Sequence, residues 1–451
     1  MRLTLIHPCI GRRTGERYIR SWQMEPLPPA TIAGLTPRDV EIRFYDDRLE
    51  TIPFDEATDL VALSVETYTA RRSYQIATEY RRRGVPVVMG GFHPTLCPDE
   101  AAEYAEAVVA GEAERVWATV IDDARHGTLK KMYRGEGRPP LAGLKPDRRI
   151  FQGKRYLPIG LVESGRGCHF KCDFCAVQTV FRQSQIRRPI DDVLREIAEI
   201  RDRARLFFFV DDNITSNPAQ VKEFLRALAP LGIRWVTQAS INAAHDEEFL
   251  ELLVRSGCQG VLIGFESLDP QALAAMNKSF NGMKGGYEVA LANLRRHKIR
   301  LYATFIFGYD TDTSESFRRA VDFACTHKFY IAAFNHLTPF PGTPLYRRLD
   351  DERRLLFERW WLDERYRYNM IPFQPARMDP LSLQRACLAA RREFYAWSSI
   401  ASRALDPVNR SDWFMFRNFF PINGMLRADT NQRDGYPLGD EAWQGSLLRA
   451  N

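Results

Sequence analysis

Short apolar runs separated by helix-length segments recur along most of this chain, and that alternation points to α/β architecture. In the first 140 residues the runs are 3–6, 40–44, 60–65, 85–89 and 107–109. Their spacing makes a parallel sheet the natural solution. Between them, residues 69–83 read as a helix with Tyr74, Ile76 and Ala77 toward the sheet and its arginines toward water. The alternation resumes at 158–162, 206–210, 235–239, 261–265, 302–307 and 332–337, with helices expected at 190–200 and 218–228. Six parallel strands with intervening helices make an open (β/α)6 partial barrel, whose chemistry should gather at the carboxyl ends of its strands.

Three cysteines, Cys168, Cys172 and Cys175, stand together just after the first barrel strand. Thiolates are soft ligands that suit iron-sulfur clusters or zinc. Three of them hold three irons of a 4Fe-4S cube and leave the fourth iron open, whereas a closed zinc site wants a fourth protein ligand. His169 directly follows Cys168 and reaches poorly around the same tetrahedron. A set of plain structural thiols is the bland alternative. The other cysteines, Cys9, Cys97, Cys258, Cys325 and Cys387, are scattered, which argues against a disulfide scaffold and offers no second cluster.

At 451 residues the chain has room for two or three domains. The start, Met-Arg-Leu-Thr-Leu-Ile-His, reads as a strand, and no apolar run is long enough to cross a bilayer. A cytoplasmic location and no membrane partner are expected, in a compartment that keeps thiols reduced. The net charge of +6 is a weak pointer to anions. Clusters such as Arg81-Arg82-Arg83 read as solvated faces, so no nucleic-acid partner is expected. The first turn, from His7 to Gly15, lacks Gly-x-Gly-x-x-Gly, which excludes a nicotinamide fold.

The order Cys-x3-Cys-x2-Cys after a strand, with Phe174 before the last cysteine, resembles the radical S-adenosylmethionine (SAM) superfamily. The resemblance implies a 4Fe-4S cluster on Cys168, Cys172 and Cys175, with SAM on the open iron. Strand-end positions then supply SAM contacts. Asp211 and Asp212 match the amine-binding turn, Gln238 and Ser240 suit the ribose or carboxylate, and Glu266 suits another polar group of SAM. Phe174, Phe307 and Gly308 are expected around adenine.

Gly90-Gly91-Phe92-His93 and Gly111-Glu112, at the ends of two N-terminal strands, resemble the Rossmann-like cobalamin-binding-type domain that precedes many radical SAM cores. The expected organisation is therefore residues 1–140 as that domain, 141–155 as linker, 156–349 as the radical SAM core and 350–451 as a C-terminal cap with a polar end that need not be ordered. The Asp-x-His-x-x-Gly motif of histidine-ligated cobalamin is missing, since Leu5 and Ile10 flank His7 where Asp and Gly belong. With Arg12, Arg13, Arg17, Arg20 and Trp22 crowding the loop, the expectation leans toward a domain without cobalamin.

The whole-chain pattern, including Tyr18-Ile-Arg-Ser-Trp-Gln-Met-Glu-Pro-Leu-Pro-Pro and a cobalamin-type domain without its histidine motif, resembles radical SAM dehydratases of aminoglycoside biosynthesis. That implies C3' deoxygenation of paromamine by hydrogen abstraction and loss of water, with an electron donor and a separate NADPH-dependent reductase as partners. Asp310 and Glu364 are the expected acid-base groups. Glu66, Asp310, Asp363, Glu364 and Tyr366 are the expected contacts of a cationic aminosugar. The alternative is a cobalamin-dependent radical SAM methyltransferase acting on a small molecule.

Overall fold

The computed structural model describes every residue except Arg17, Arg20, Glu136, Met283, Lys284, Ala450 and Asn451. Two arginines of the expected crowded loop, Arg17 and Arg20, thus lie outside the described residues. The chain forms two α/β units. Unit 1 joins Met1–Leu157 to Phe357–Tyr368 and Gly435–Asn451, and unit 2 comprises Pro158–Leu356 with Asn369–Asp434. The region 350–451 is therefore divided between them.

Unit 1 is built on six parallel strands, β1 (Arg2–His7), β2 (Glu41–Asp46), β3 (Leu60–Ser64), β4 (Val87–Gly90), β5 (Ala107–Ala110) and β6 (Met132–Arg134). Their order is β2-β1-β3-β4-β5-β6. The direction of winding reverses between β1 and β3, and open sheets of this kind bind ligands beyond the carboxyl ends at such a switch point. Leu3, Leu5, Phe44, Leu60, Val88 and Trp117 share the core. Helix α1 (Leu27–Leu35) starts on prolines that need no N–H there, and α2 (Ala70–Arg82) buries Tyr74, Ile76 and Ala77 as expected.

That second helix also buries Arg72, Gln75 and Thr78, because the end of the chain lies along its other face. Gly439 and Asp440 pair in parallel with Gly11 and Arg12. Gln75 exchanges hydrogen bonds with the Asp440 backbone at 2.7 and 3.3 Å, and Trp443 Nε1 donates to Glu79 Oε1 at 3.0 Å. The polar tail is thus fastened to α2, which supplies partners that the tail's composition does not reveal. At Gly11 a Cβ would lie 2.2 Å from the Pro437 carbonyl oxygen, so only glycine admits this strand.

Unit 2 lays β7 (Ile159–Val162), β8 (Leu206–Phe209), β9 (Trp235–Ala239), β10 (Cys258–Glu266), β11 (Arg300–Phe307) and β12 (Ile331–His336) side by side in chain order, all parallel. Right-handed crossovers through helices are the ordinary way to make such a sheet. Alternate residues face the helices. Phe209 meets Phe224 edge-on at 5.3 Å, and Phe265, Phe305 and Phe334 form a ladder at 5.7 and 5.5 Å. The intervening Leu161, Phe208, Leu262, Tyr302, Ile306 and Ala333 point to the opposite, half-buried face. Beyond the barrel the chain forms two helices, α3 (Pro380–Phe394) and α4 (Trp397–Ala404), because Ala396 between them is extended and breaks the run. Asp379 caps the first by accepting from Ser382 N at 2.9 Å. No described helix is long and apolar enough to cross a membrane.

Candidate active site

The three cysteines occupy a loop whose two ends are clamped by a short antiparallel pair, Gly165–Gly167 with Gln185–Arg187. Two aspartates at the end of β8 anchor that clamp. Asp211 is fully buried and accepts from Ser164 N at 2.7 Å and Ser164 Oγ at 2.6 Å. Burial pushes its carboxyl up, with Arg187 and Ser164 opposing. Asp212 Oδ2 accepts from Gly167 N at 2.7 Å, and burial raises this carboxyl to about 6 despite that bond.

Gln238 Nε2 donates to the Asp211 carbonyl at 2.8 Å. Asn213 Nδ2 reaches Ser240 Oγ at 2.7 Å and Cys168 Sγ at 3.6 Å. Asp211, Asp212, Gln238 and Ser240 therefore converge beside the cysteine loop. Their side chains already hold protein groups, so the Asp211 carboxylate is a fastener of the loop. Asn213, the last residue of the Asp-Asp-Asn triplet that the strand-end rule selects, links the third strand's end to Cys168.

All three thiols are free of disulfides. Burial pushes Cys172 up to about 12, opposed by Lys278. Burial also raises Cys175, while the N–H groups of Gln178 and Val177 at the start of the following helix lower it. Thiols held protonated release protons when metal binds. Among the described residues no three His, Cys, Asp or Glu groups are gathered as ligands of one ion would be. Three soft thiolates on one loop are the donors that iron-sulfur clusters take, so this donor set fits a multi-iron cluster. When bound, such a cluster supplies the electron that cleaves SAM.

Glu266 closes β10 in a left-handed conformation, φ 62°, at a break in strand register. It is buried, and Lys278 Nζ donates to its Oε1 at 2.5 Å and to the Gly264 carbonyl at 3.0 Å. Thr304 Oγ1 adds a longer bond at 3.3 Å. Asn281 Nδ2 and Tyr287 Oη fasten the neighbouring Phe265 carbonyl at 3.1 and 2.9 Å.

Phe307 does not form an adenine wall. Its ring stacks on Phe317 in the helix layer at 4.2 Å, because residues 305 and 307 share one face of β11. Gly308 follows at φ 116°, and a Cβ there would come within 3.0 Å of Leu383 and Phe373, so its glycine serves packing. Phe174 is half-buried in the cysteine loop and packs against the barrel core.

The expected acid-base groups are placed differently from expectation. Burial tends to raise Asp310, but Arg354 at 2.7 Å and Arg348 at 2.9 Å outweigh it and hold the carboxyl below its usual range. An ionised, doubly paired carboxylate is a poor proton donor. Glu364 belongs to unit 1, is exposed, and pairs with Arg71 at 2.7 Å. Asp363 is engaged by Arg365 at 2.7 Å. Tyr366 is fully buried against Trp360, which removes it as a substrate contact. Glu66 is exposed at the end of β3, where its N–H donates to Thr69 Oγ1 at 3.0 Å.

At the switch point of unit 1, Arg12 and Arg13 of the first loop are engaged by protein groups. Arg12 turns inward to Asp47 at 2.9 Å, and Arg13 lies over the Tyr436 ring at 5.1 Å. Arg72 grips the same buried Asp47 at 2.8 and 3.0 Å. Burial, with Arg48, lowers His7 to about 4, so its imidazole is neutral at the end of β1. Gly91 has φ 111°, and its Cβ would strike the Val65 carbonyl at 2.7 Å. Gly111 has φ 93° with open space where a Cβ would stand. Thr95 Oγ1 ties the two turns, donating to the Gly91 carbonyl at 2.7 Å and accepting from Gly111 N at 2.9 Å. Gly91 thus serves its close approach to Val65, while the open backbone at Gly111 fits a bulky cofactor at this edge.

Residues 162–324 match the model of the radical SAM superfamily. The chain is 34% identical over 406 residues to the bacteriochlorophyllide d C-12(1)-methyltransferase of Chlorobaculum tepidum, covering 87% of each chain. It is 29% identical to the bacteriochlorophyllide d C-8(2)-methyltransferase of the same organism, covering 83% of this chain and 86% of the relative. Its fold matches the methyltransferase TsrM from Kitasatospora setae, solved with cobalamin and a [4Fe-4S] cluster, at a TM-score of 0.64 and 16% identity, over 96% of this chain and 99% of that one. It also matches the cobalamin-dependent radical enzyme OxsB, solved with aqua-cobalamin and SAM, at 0.63 and 15% identity, over 96% and 72%.

These near whole-chain matches to cobalamin-bound enzymes overturn the expectation of a domain without cobalamin. Nor do they lend support to an aminoglycoside dehydratase. With the barrel, the cysteine loop and a methyltransferase relative of one-third identity in agreement, the chain belongs to the radical SAM superfamily, in the branch whose barrel follows a cobalamin-binding-type domain.

Proposed function

We propose that this protein is a cobalamin-dependent radical SAM methyltransferase that methylates a carbon of an apolar small molecule. The observation that carries the reading is the 34% identity to a bacteriochlorophyllide methyltransferase across 87% of both chains. The barrel's half-buried face supports an apolar substrate, since Leu161, Phe208, Leu262 and Ile306 line it. Cys168, Cys172 and Cys175 hold the cluster. The turns at Gly91 and Gly111 hold cobalamin at the carboxyl edge of unit 1. Asp211 and Asp212 set the cysteine loop, and their backbone, with Glu266, serves SAM.

The net change replaces a substrate C–H by C–CH3. One SAM leaves as 5'-deoxyadenosine and methionine, a second as S-adenosylhomocysteine, and two electrons enter from an external donor. No carbonyl product arises, so the NADPH-dependent reductase has no role in this reaction. The test is anaerobic reconstitution with iron, sulfide and hydroxocobalamin, followed by removal of free cofactor. About one cobalamin per chain should remain. With SAM, reductant and a bacteriochlorophyllide as probe, equal amounts of 5'-deoxyadenosine and S-adenosylhomocysteine should accompany a gain of one methyl group. A protein that retains no cobalamin, or that yields 5'-deoxyadenosine with loss of water and no S-adenosylhomocysteine, overturns the proposal.

A further inference from the structure

An open cavity of about 440 Å³ lies directly against the cysteine loop. One wall is His169, Phe170 and Lys171, from between the first two cysteines, and the other includes Ala274, Asn277 and Phe280. Phe170 stacks on Phe280 with ring centres 4.0 Å apart and planes 14° from parallel, which fixes the floor. Of residues 168–175, only His169 and Lys171 are exposed, while Cys172 and Asp173 are buried. Solvent therefore approaches the middle of the ligand loop at this cavity. Ala274, Asn277 and Ser279 are exposed on the opposite rim, and no lining residue is acidic.

We infer that this surface is the docking site of an acidic one-electron carrier protein of the flavodoxin or ferredoxin class. The inference rests on the cluster assignment above. Electron transfer weakens steeply with distance, so a donor must seat where the ligand loop itself is exposed. A shallow patch with an aromatic floor, a lysine at its rim and no carboxylate suits the small, transient interfaces of redox pairs. Its charge is opposite to that of an acidic carrier, which speeds encounter. One electron leaves the reduced carrier and passes to the cluster, and no bond or proton changes at that step.

The test uses the reconstituted full-length protein, with a bacterial flavodoxin and a plant-type ferredoxin as probes and dithionite as a small donor that needs no docking. Lys171→Glu and, outside the cysteine loop, Ala274→Glu should each slow cluster reduction by the carriers roughly three- to tenfold. The wild-type rate with the carriers should fall as salt rises. Reduction by dithionite, followed by bleaching of the cluster absorbance, should be unchanged, and carrier binding by calorimetry should weaken in parallel. Carrier-driven rates equal to wild type in both variants overturn the docking site. Equal slowing with dithionite places the defect in the cluster and also overturns it. If neither carrier nor dithionite reduces the wild-type protein, the cluster assignment itself fails.

Discussion

Tyr309 Oη donates to Asp173 Oδ1 at 2.5 Å, joining the residue after Gly308 to a position between two of the three site cysteines. Asp173 is buried, its carboxyl raised by that burial, and its carbonyl also accepts from Leu345 N at 3.1 Å. The cysteine loop is thus held from the far side of the barrel as well as by Asp211 and Asp212. Tyr309→Phe leaves a buried carboxylate short of a donor, a loss of about 1–3 kcal/mol. Lower thermal stability and faster iron loss to a chelator are expected; an unchanged iron-loss rate would show that the contact does not hold the loop.

Each of Cys168→Ala, Cys172→Ala and Cys175→Ala removes one corner of the thiolate set. Iron and sulfide analysis of the reconstituted wild type should approach about four of each per chain. Every single variant should fall well below that and make no 5'-deoxyadenosine. Cys258→Ala, a thiol in β10 remote in sequence from the loop, should keep the wild-type iron content.

Lys278→Met strands a buried Glu266 in a strained conformation. Leaving one partner of a buried ion pair unmatched costs roughly 3–5 kcal/mol, more than deleting both charges. Thermal unfolding should therefore show Lys278→Met with Glu266→Gln to be more stable than Lys278→Met alone. If Glu266 serves SAM as proposed, both variants raise the SAM concentration needed for half-maximal cleavage.

Stability should depend on pH through His336. Burial, with Arg391 adding to it, lowers this imidazole from the usual 6.5 to about 4. Between these values the unfolded chain binds a proton that the folded chain refuses. Stability is therefore full above about pH 6.5 and falls as the pH drops toward about 4, by on the order of 2–3 kcal/mol for this group. Urea midpoints measured from pH 7 to pH 4.5 should fall less steeply for His336→Gln. An identical slope would mean that the ring is already charged in the folded protein.

All the sheet strands but β6 were legible because each is a short apolar run, and 3–6 needed only one residue at each end to become Arg2–His7, whereas Met132–Arg134 carries no such run. The placing of Asp211, Gln238 and Glu266 at strand ends was legible too, since each closes such a run. What those side chains touch was not, because Asp211 answers Ser164 and Glu266 answers Lys278 across loops that carry no periodic signal. Phe307 is a different case: its period-two relation to Phe305 already placed it on the helix side. A missing histidine motif says little about cobalamin, because glycine turns and strand ends offer backbone and leave little mark in sequence.

The return of residues 357–368 and 435–449 to unit 1 has a consequence for how the protein is made. Trp361 satisfies Glu100 at 2.9 Å, and Asp440 completes the surface of α2, yet both are translated after the barrel's strands. At ordinary rates of synthesis that delay is on the order of tens of seconds. The sheet that emerges first therefore waits, with Glu100 held by Tyr74 and His93 but lacking Trp361 and with the edge at Gly11 open, until the second unit has been synthesised. For the same reason the first 157 residues are not a portable module: a swap of N-terminal domains between relatives must carry both distant segments with it.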